Sequence, residues 1–165
     1  MIFIIISIIL CIILFVSIII KDKLTFINIK LKTIEEKINS TLINRKSLLL
    51  DSETIIKDTL KTSKDIYENI EELNNSNIDI IELDTKLLLY INEFNLINEK
   101  YKKLQKNNDF QKIASNLNES EEQLLAYKKY YNDTVTSYNK LISTFPINMI
   151  NFIKRRKKKK LFDNN

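Results

Sequence analysis

The sequence contains no glycine, no histidine and no tryptophan, and only one proline and one cysteine among 165 residues. Without glycine there can be no glycine-rich phosphate loop, dinucleotide fingerprint or nucleophile elbow. Without histidine the commonest general base is missing, as is any histidine-ligated zinc or di-iron site. The single cysteine, Cys11, cannot form a disulfide within the chain. We therefore expect a protein that is not an enzyme, with no catalytic residues, no cofactor and no metal site.

The opening segment, residues 1–20, carries no charge, and Lys21-Asp22-Lys23 follow it directly. A helix of about 20 residues spans roughly 30 Å, the thickness of the hydrocarbon core of a bilayer. A cleaved signal peptide would have a basic start and a small-residue cleavage site, and a lipoprotein signal would have small residues before Cys11. Neither pattern is present, so the segment is predicted to be a retained transmembrane helix.

Basic residues beside this segment predict its orientation. Lys21, Lys23, Lys30 and Lys32 all follow it, and basic residues next to a membrane helix tend to stay in the cytoplasm. We expect a single-pass protein of the inner (cytoplasmic) membrane, with the N-terminus outside and the body in the cytoplasm.

The net charge of +5 is concentrated near the end of the chain, because removing seven consecutive bases leaves −2 for the rest. These residues are Lys154, Arg155, Arg156, Lys157, Lys158, Lys159 and Lys160. They follow several apolar residues, so that 147–165 forms an apolar and then polybasic tail. The basic run is interpreted as a contact with anionic lipids, where each base contributes about 1 kcal/mol. The second interpretation is a disordered solubilising tail, and nucleic-acid binding is the least favoured of the three.

Between these ends, apolar residues recur every three or four positions, which is typical of helices. The pattern predicts an all-α fold: a transmembrane helix followed by an antiparallel up-and-down bundle of three to four long helices over 21–146. The predicted helices are about 22–50, 52–73, 78–104 and 109–145. Asparagine-rich turns separate the last three.

The boundary between the first two helices is weak. Asp51-Ser52-Glu53 is the best place for a turn, although 22–73 can also form one continuous helix. Four segments of similar length pack better in an antiparallel bundle, which favours the break. A break would return the basic tail to the membrane, whereas a continuous helix would leave it far away.

One set of residues carries a family resemblance: Tyr101, Leu104, Asn107, Phe110, Glu121, Tyr131, Asn132, Asp133, Val135, Tyr138, Asn139, Phe145, Pro146, Asn148, Met149 and Ile150. This pattern resembles the LemA family of bacterial membrane-anchored helical proteins, and Arg45-Lys46 corresponds to a basic pair of that family. The proline, asparagine and glycine that usually follow the pair are absent here. The resemblance implies a cytoplasmic helical bundle on a single membrane helix and supplies no catalytic reaction.

Two patterns could form a site. Tyr131-Asn132 and Tyr138-Asn139 repeat at seven residues and therefore share one helix face. They could form a recognition surface, but we favour a structural role in which the tyrosines pack inward and the asparagines flank the seam. Carboxylates occur in runs near residues 35, 71 and 121, and a solvated helix face explains them better than acid–base chemistry.

These observations predict a non-catalytic protein that presents a helical surface for partner binding or self-association at the cytoplasmic membrane face. The alternative function is an anionic-lipid-surface organiser that acts through the polybasic tail. A third hypothesis, an enzyme, would need convergent carboxylates in a deep polar cavity.

Overall fold

The computed structural model describes residues 2–68, 70, 73, 78–144 and 156–162. These residues form helix α1 (Ile2–Leu60), helix α2 (Ile80–Lys100), the short helix α3 (Lys102–Gln105) and helix α4 (Asn108–Ser143). The described part of the chain contains no strand. The prediction of an all-α protein with a long apolar N-terminal helix is therefore confirmed.

Helix α1 is continuous through 59 residues, and the favoured break near Asp51 is wrong. The helix continues because one buried stripe passes straight through the expected turn at steps of three or four residues. Its members are Leu24, Ile27, Leu31, Ile34, Ile38, Leu42, Arg45, Leu49, Ser52 and Ile56. Ser52 fits inside the stripe because its hydroxyl donates to the carbonyl oxygen of Leu49 at 2.7 Å.

The N-terminal part of α1 is apolar on every face. An 18-residue window near the N-terminus has a mean hydropathy of 3.5, and none of it is buried within the protein. This part of the helix is long and apolar enough to cross a membrane.

Helix α1 ends at a left-handed residue that is not glycine. Lys61 has φ 54°, and the N–H of Thr62 donates to the carbonyl oxygen of Lys57 at 3.2 Å. This is the hydrogen bond of a Schellman C-cap, with Lys61 in the position that glycine usually takes. The predicted helix 52–73 is thus wrong beyond Leu60, because the described residues that follow are not α-helical.

The segment after α1 folds back along the helix it has just left. The N–H of Ile66 donates to Oε1 of Glu53 at 3.0 Å, and the Tyr67 hydroxyl lies 2.8 Å from the hydroxyl of Ser52. A non-helical chain therefore takes the place of the predicted second bundle helix here.

The chain divides into two compact units, 1–34 with 129–165 and 35–128. The core of the 35–128 unit includes the stacked rings of Phe94 and Phe110, whose centroids lie 4.9 Å apart. The buried apolar residues that the structure describes in the other unit come from α1 and α4: Leu24, Ile27, Leu31, Ile34, Tyr131, Val135, Tyr138 and Ile142, together with Phe162 near the chain end.

Candidate functional site

Two asparagines of α4 bind the main chain of the C-terminal segment. The side-chain amide of Asn132 donates to the carbonyl oxygen of Phe162 at 3.0 Å, and its oxygen accepts the Phe162 N–H at 2.9 Å. Asn139 makes the same pair with Lys159, both bonds at 2.9 Å. Each asparagine thus satisfies one backbone donor and one acceptor. We call Asn132 and Asn139 the asparagine clamp.

The spacing of the clamp matches an extended chain. Seven helical residues separate Asn132 from Asn139, a rise of about 10.5 Å. Lys159 and Phe162 are three positions apart, which in an extended chain corresponds to about 9–10 Å. The two lengths agree, and the two chains run in opposite directions. Because these contacts use main-chain atoms, the clamp recognises backbone conformation rather than side-chain identity.

An aromatic contact completes the docking. The Phe162 ring meets the Tyr131 ring edge-to-face with centroids 5.0 Å apart, and only 2% of Phe162 is exposed. Tyr138 is buried as well, so both tyrosines pack inward as the periodicity predicted. The asparagines hold the tail instead of flanking a helix seam. The seven-residue repeat was the available signal for this role.

The basic run is ordered over its described part. Arg156 and Lys159 are half-buried, whereas Lys157, Lys158 and Lys160 are exposed. Lys154 and Arg155 lie outside the described residues. The interpretation as a disordered tail does not hold for 156–162, because the clamp fixes this segment against α4.

Arg156 lies beside the apolar part of α1. It lines a surface pocket of about 340 Å³ together with Leu14, Ser17, Ile18, Ile20, Lys21 and Leu24. Although α1 is continuous, Arg156 of the tail thus lies next to this segment.

A buried arginine occupies the basic pair at residues 45–46. Only 2% of Arg45 is exposed, and its guanidinium pairs with the carboxylate of Glu121. The Nε atom of Arg45 is buried without a hydrogen-bond partner. Both residues belong to the pattern that carries the family resemblance, and the structure brings them together. A pair of this kind can bridge α1 and α4 within the 35–128 unit.

The remaining pattern residues are dispersed. Tyr101 caps α2 through its N–H, which donates to the Ile97 carbonyl oxygen at 3.1 Å. Asn107 caps α4 by accepting the N–H groups of Asp109 and Phe110 at 3.0 and 3.1 Å. Asp133 is exposed on α4. Phe145 and Pro146 lie outside the described residues.

A larger open pocket lies in the 35–128 unit. It has a volume of about 780 Å³, and its lining includes Ile56, Tyr101, Lys102 and Lys103. Glu93 also lines it, and partial burial raises the pKa of that carboxyl. At a nearby surface position, the Lys57 ammonium donates hydrogen bonds to the carboxylates of Asp65 and Glu53, and these bonds raise the pKa of Lys57.

Acidic and cysteine side chains do not converge on a metal site in the part of the chain that the structure describes. No group of three or more ligating side chains occurs there. Glu36, Glu119 and Glu122 are exposed, and Glu35 is half-buried. Glu71 and Glu72 lie outside the described residues.

No curated protein matches the chain. The sequence model of the LemA family matches residues 31–165, a range that contains Arg45, Glu121 and the asparagine clamp. Because this match covers most of the chain, the protein belongs to the LemA family.

Proposed function

We propose that this protein is a non-catalytic, single-pass membrane protein whose helical bundle presents a surface to a protein partner or to a second copy. The observation that carries the proposal is the continuity of α1, in which an apolar stretch and the buried stripe of the bundle belong to one helix. A continuous helix transmits position and orientation better than a flexible linker, because its backbone hydrogen bonds are satisfied along its whole length.

The orientation follows from charge. Lys21 and Lys23 lie directly after the uncharged segment, which supports an N-terminus outside and a bundle in the cytoplasm of the inner membrane. The test uses the double variant Cys11→Ser/Lys103→Cys, which carries a single cysteine at position 103. A membrane-impermeant maleimide should label this cysteine only after the cells are opened. Labelling of intact cells at the same rate would overturn the proposed orientation.

The surface with the best chemistry for a partner lies on α2. Leu89 and Leu96 are each 66% exposed, and their spacing of seven residues places them on one face of the helix. An apolar pair on an otherwise polar helix face suits a partner helix whose own apolar stripe has the same spacing.

A photo-crosslinking residue at Leu96 tests this surface in native membranes. We expect a discrete adduct from Leu96, its loss in the Leu89→Ser background, and no adduct from the exposed Lys112 on α4. A dimer-sized adduct would identify self-association, and a different discrete mass would identify a partner. Equal adduct formation at Leu96 and Lys112, or none at either, would reject the surface.

The docked tail favours a second candidate function, organisation of an anionic lipid surface. Lys157, Lys158 and Lys160 are exposed on a segment whose neighbour Arg156 lies beside Leu14 and Lys21. Near an anionic leaflet each such base contributes about 1 kcal/mol. Clustering of anionic lipids around the wild-type chain, and its loss when the three exposed lysines become serine, would support this function.

A further inference from the structure

We propose that the pocket between Arg156 and the end of the apolar part of α1 is a binding site for one anionic phospholipid molecule. Lys21 and Arg156 bind its phosphate, and Leu14 and Ile18 contact its acyl chain. The site rests on the proposed membrane crossing of α1.

Along α1 the wall of the pocket is first apolar and then cationic, which matches the acyl chain and the phosphate of a phospholipid. Leu14 and Ile18 are apolar and more than half exposed, at 57% and 59%. Lys21 is the first charged residue of the chain and lies one helical turn further on. A cation at that level meets the lipid headgroups when the uncharged segment fills the hydrocarbon core.

The second cation comes from the far end of the sequence. Arg156 belongs to the same pocket as Lys21 although 135 positions separate them. A guanidinium binds phosphate with two parallel charge-assisted hydrogen bonds, whereas an ammonium acts as a point charge. One arginine and one lysine thus give the site both geometry and charge for a phosphate.

The asparagine clamp determines where Arg156 lies. Lys159 is fixed to Asn139 by two hydrogen bonds, three residues after Arg156. Without the clamp the tail would lose order, and its bases would attract anions without a defined geometry. Asn132 and Asn139 are therefore positioning residues for this site.

The volume and the wall composition favour a lipid over a free phosphate ion. A phosphate ion needs only the two cations, and the apolar wall of the 340 Å³ pocket would then remain without a role. A phospholipid uses both the cations and the apolar wall. A zwitterionic lipid would bring its own cation close to Lys21 and Arg156, so an anionic headgroup is preferred.

Native mass spectrometry of the full chain in neutral detergent tests the site. The probes are dioleoyl phosphatidylglycerol and dioleoyl phosphatidylcholine. We expect one tightly held phosphatidylglycerol and about tenfold weaker retention of phosphatidylcholine. Arg156→Ser should reduce the preference about tenfold, in line with the loss of a charge-assisted pair. Lys112→Ser, at an exposed lysine on α4, should leave it unchanged.

Further measurements test the role of the clamp and distinguish a lipid site from a phosphate site. Asn132→Ala/Asn139→Ala should reduce the preference as Arg156→Ser does, and an unchanged preference would reject the positioning role. Inorganic phosphate at millimolar concentration should not displace the lipid, and full displacement would identify a phosphate site instead. Equal retention of both lipids by the wild-type chain, or an unchanged preference in Arg156→Ser, would overturn the lipid site.

A separate experiment tests whether α1 crosses the membrane at all. Alkaline carbonate extraction of cell membranes should leave the wild-type chain and Arg156→Ser in the pellet. Release of the wild-type chain would overturn the proposed function itself. Retention in the pellet without a lipid preference would overturn only the lipid site.

Discussion

Asn132 and Phe162 lie thirty positions apart and are joined by two hydrogen bonds of opposite direction, at 3.0 and 2.9 Å. This pairing turns a helix face into a support for an extended chain. A sheet edge binds a strand in the same way, through main-chain donors and acceptors. The Asn139–Lys159 pair repeats it one helical heptad further on, so the two pairs act on one segment and each one pre-orients the other.

Asn132→Ala should release the chain end. The change removes both hydrogen bonds, and at about 0.5–1.5 kcal/mol for each bond it should weaken tail docking roughly tenfold. Hydrogen exchange of the Phe162 amide should accelerate by that factor, and trypsin should cleave after Lys160 more rapidly. The same measurements apply to Asn139→Ala and the Lys159 amide.

The exposed Asn92 on α2 provides the matched control, because Asn92→Ala changes the same side chain away from the tail. It should leave exchange and cleavage of the tail as in the wild-type chain. Equal cleavage of the wild-type and Asn132→Ala chains would contradict the clamp.

Glu121→Gln should destabilise the protein through Arg45. The guanidinium of Arg45 is buried, so loss of the Glu121 charge leaves a cation without its counter-ion in the core. The Glu121 side chain is 37% exposed, and water near it screens part of this penalty. We expect a loss of about 2 kcal/mol in the free energy of unfolding, below the 3–5 kcal/mol of a fully buried pair.

Thermal unfolding of the full chain in detergent measures this change. Glu122→Gln, at an exposed neighbour, should leave the melting temperature unchanged. The double change Arg45→Met/Glu121→Met should recover most of the stability, since apolar side chains of similar volume can replace a buried pair. A double variant as unstable as Glu121→Gln would show that the loss has another origin.

The course of α1 shows how much of this fold could be predicted from the sequence. The stripe from Leu24 to Ile56 could be read from its periodicity, and so could the inward-facing Tyr131. The break near Asp51 could not be judged correctly, because the sequence shows a serine, a residue that favours turns, but does not show its hydrogen-bond partners. Here Ser52 sits within the helix, where its hydroxyl has two partners, Leu49 and Tyr67. The second partner is a tertiary contact that no local pattern contains.

The candidate site was predictable only in part, for a related reason. The heptad spacing of Asn132 and Asn139 placed them on one helix face. Their partners are the main-chain atoms of Lys159 and Phe162, and main-chain atoms leave no signature in side-chain sequence. The basic run at 154–160 has a composition typical of disordered tails, so the sequence also gave no reason to expect that this segment docks on α4. The end of α1 was hidden as well, because its left-handed cap is a lysine.

Stability should fall at alkaline pH because of Tyr67. Burial raises the pKa of its phenol above the ordinary value, the Ser52 hydroxyl opposes this shift, and the charges of Glu93 and Glu53 add to it. The unfolded chain therefore releases this proton first, from about pH 10. Between the unfolded and the folded pKa, stability should fall by up to about 1.4 kcal/mol per pH unit.

Tyr67→Phe should remove this part of the alkaline fall. The variant keeps the buried ring, and Ser52 retains its hydrogen bond to the Leu49 carbonyl oxygen. Chemical denaturation at pH 8 and pH 11 measures the difference, with Tyr130→Phe at an exposed tyrosine as control. Identical pH dependence of the wild-type chain and Tyr67→Phe would contradict the assignment.

Lys61→Gly should stabilise the protein although it introduces a glycine into a chain that has none. Lys61 has φ 54° at the end of α1, and a residue with a Cβ is held there at a cost of roughly 1–2 kcal/mol. Glycine adopts this conformation freely but loses more backbone entropy on folding. The net gain should be about 1 kcal/mol in the free energy of unfolding, measured by thermal melting. Lys61→Ala is the matched control, because it removes the same side chain and keeps the Cβ, so it should not raise the melting temperature. Equal gains from glycine and alanine would assign the effect to the lysine side chain instead of the left-handed backbone.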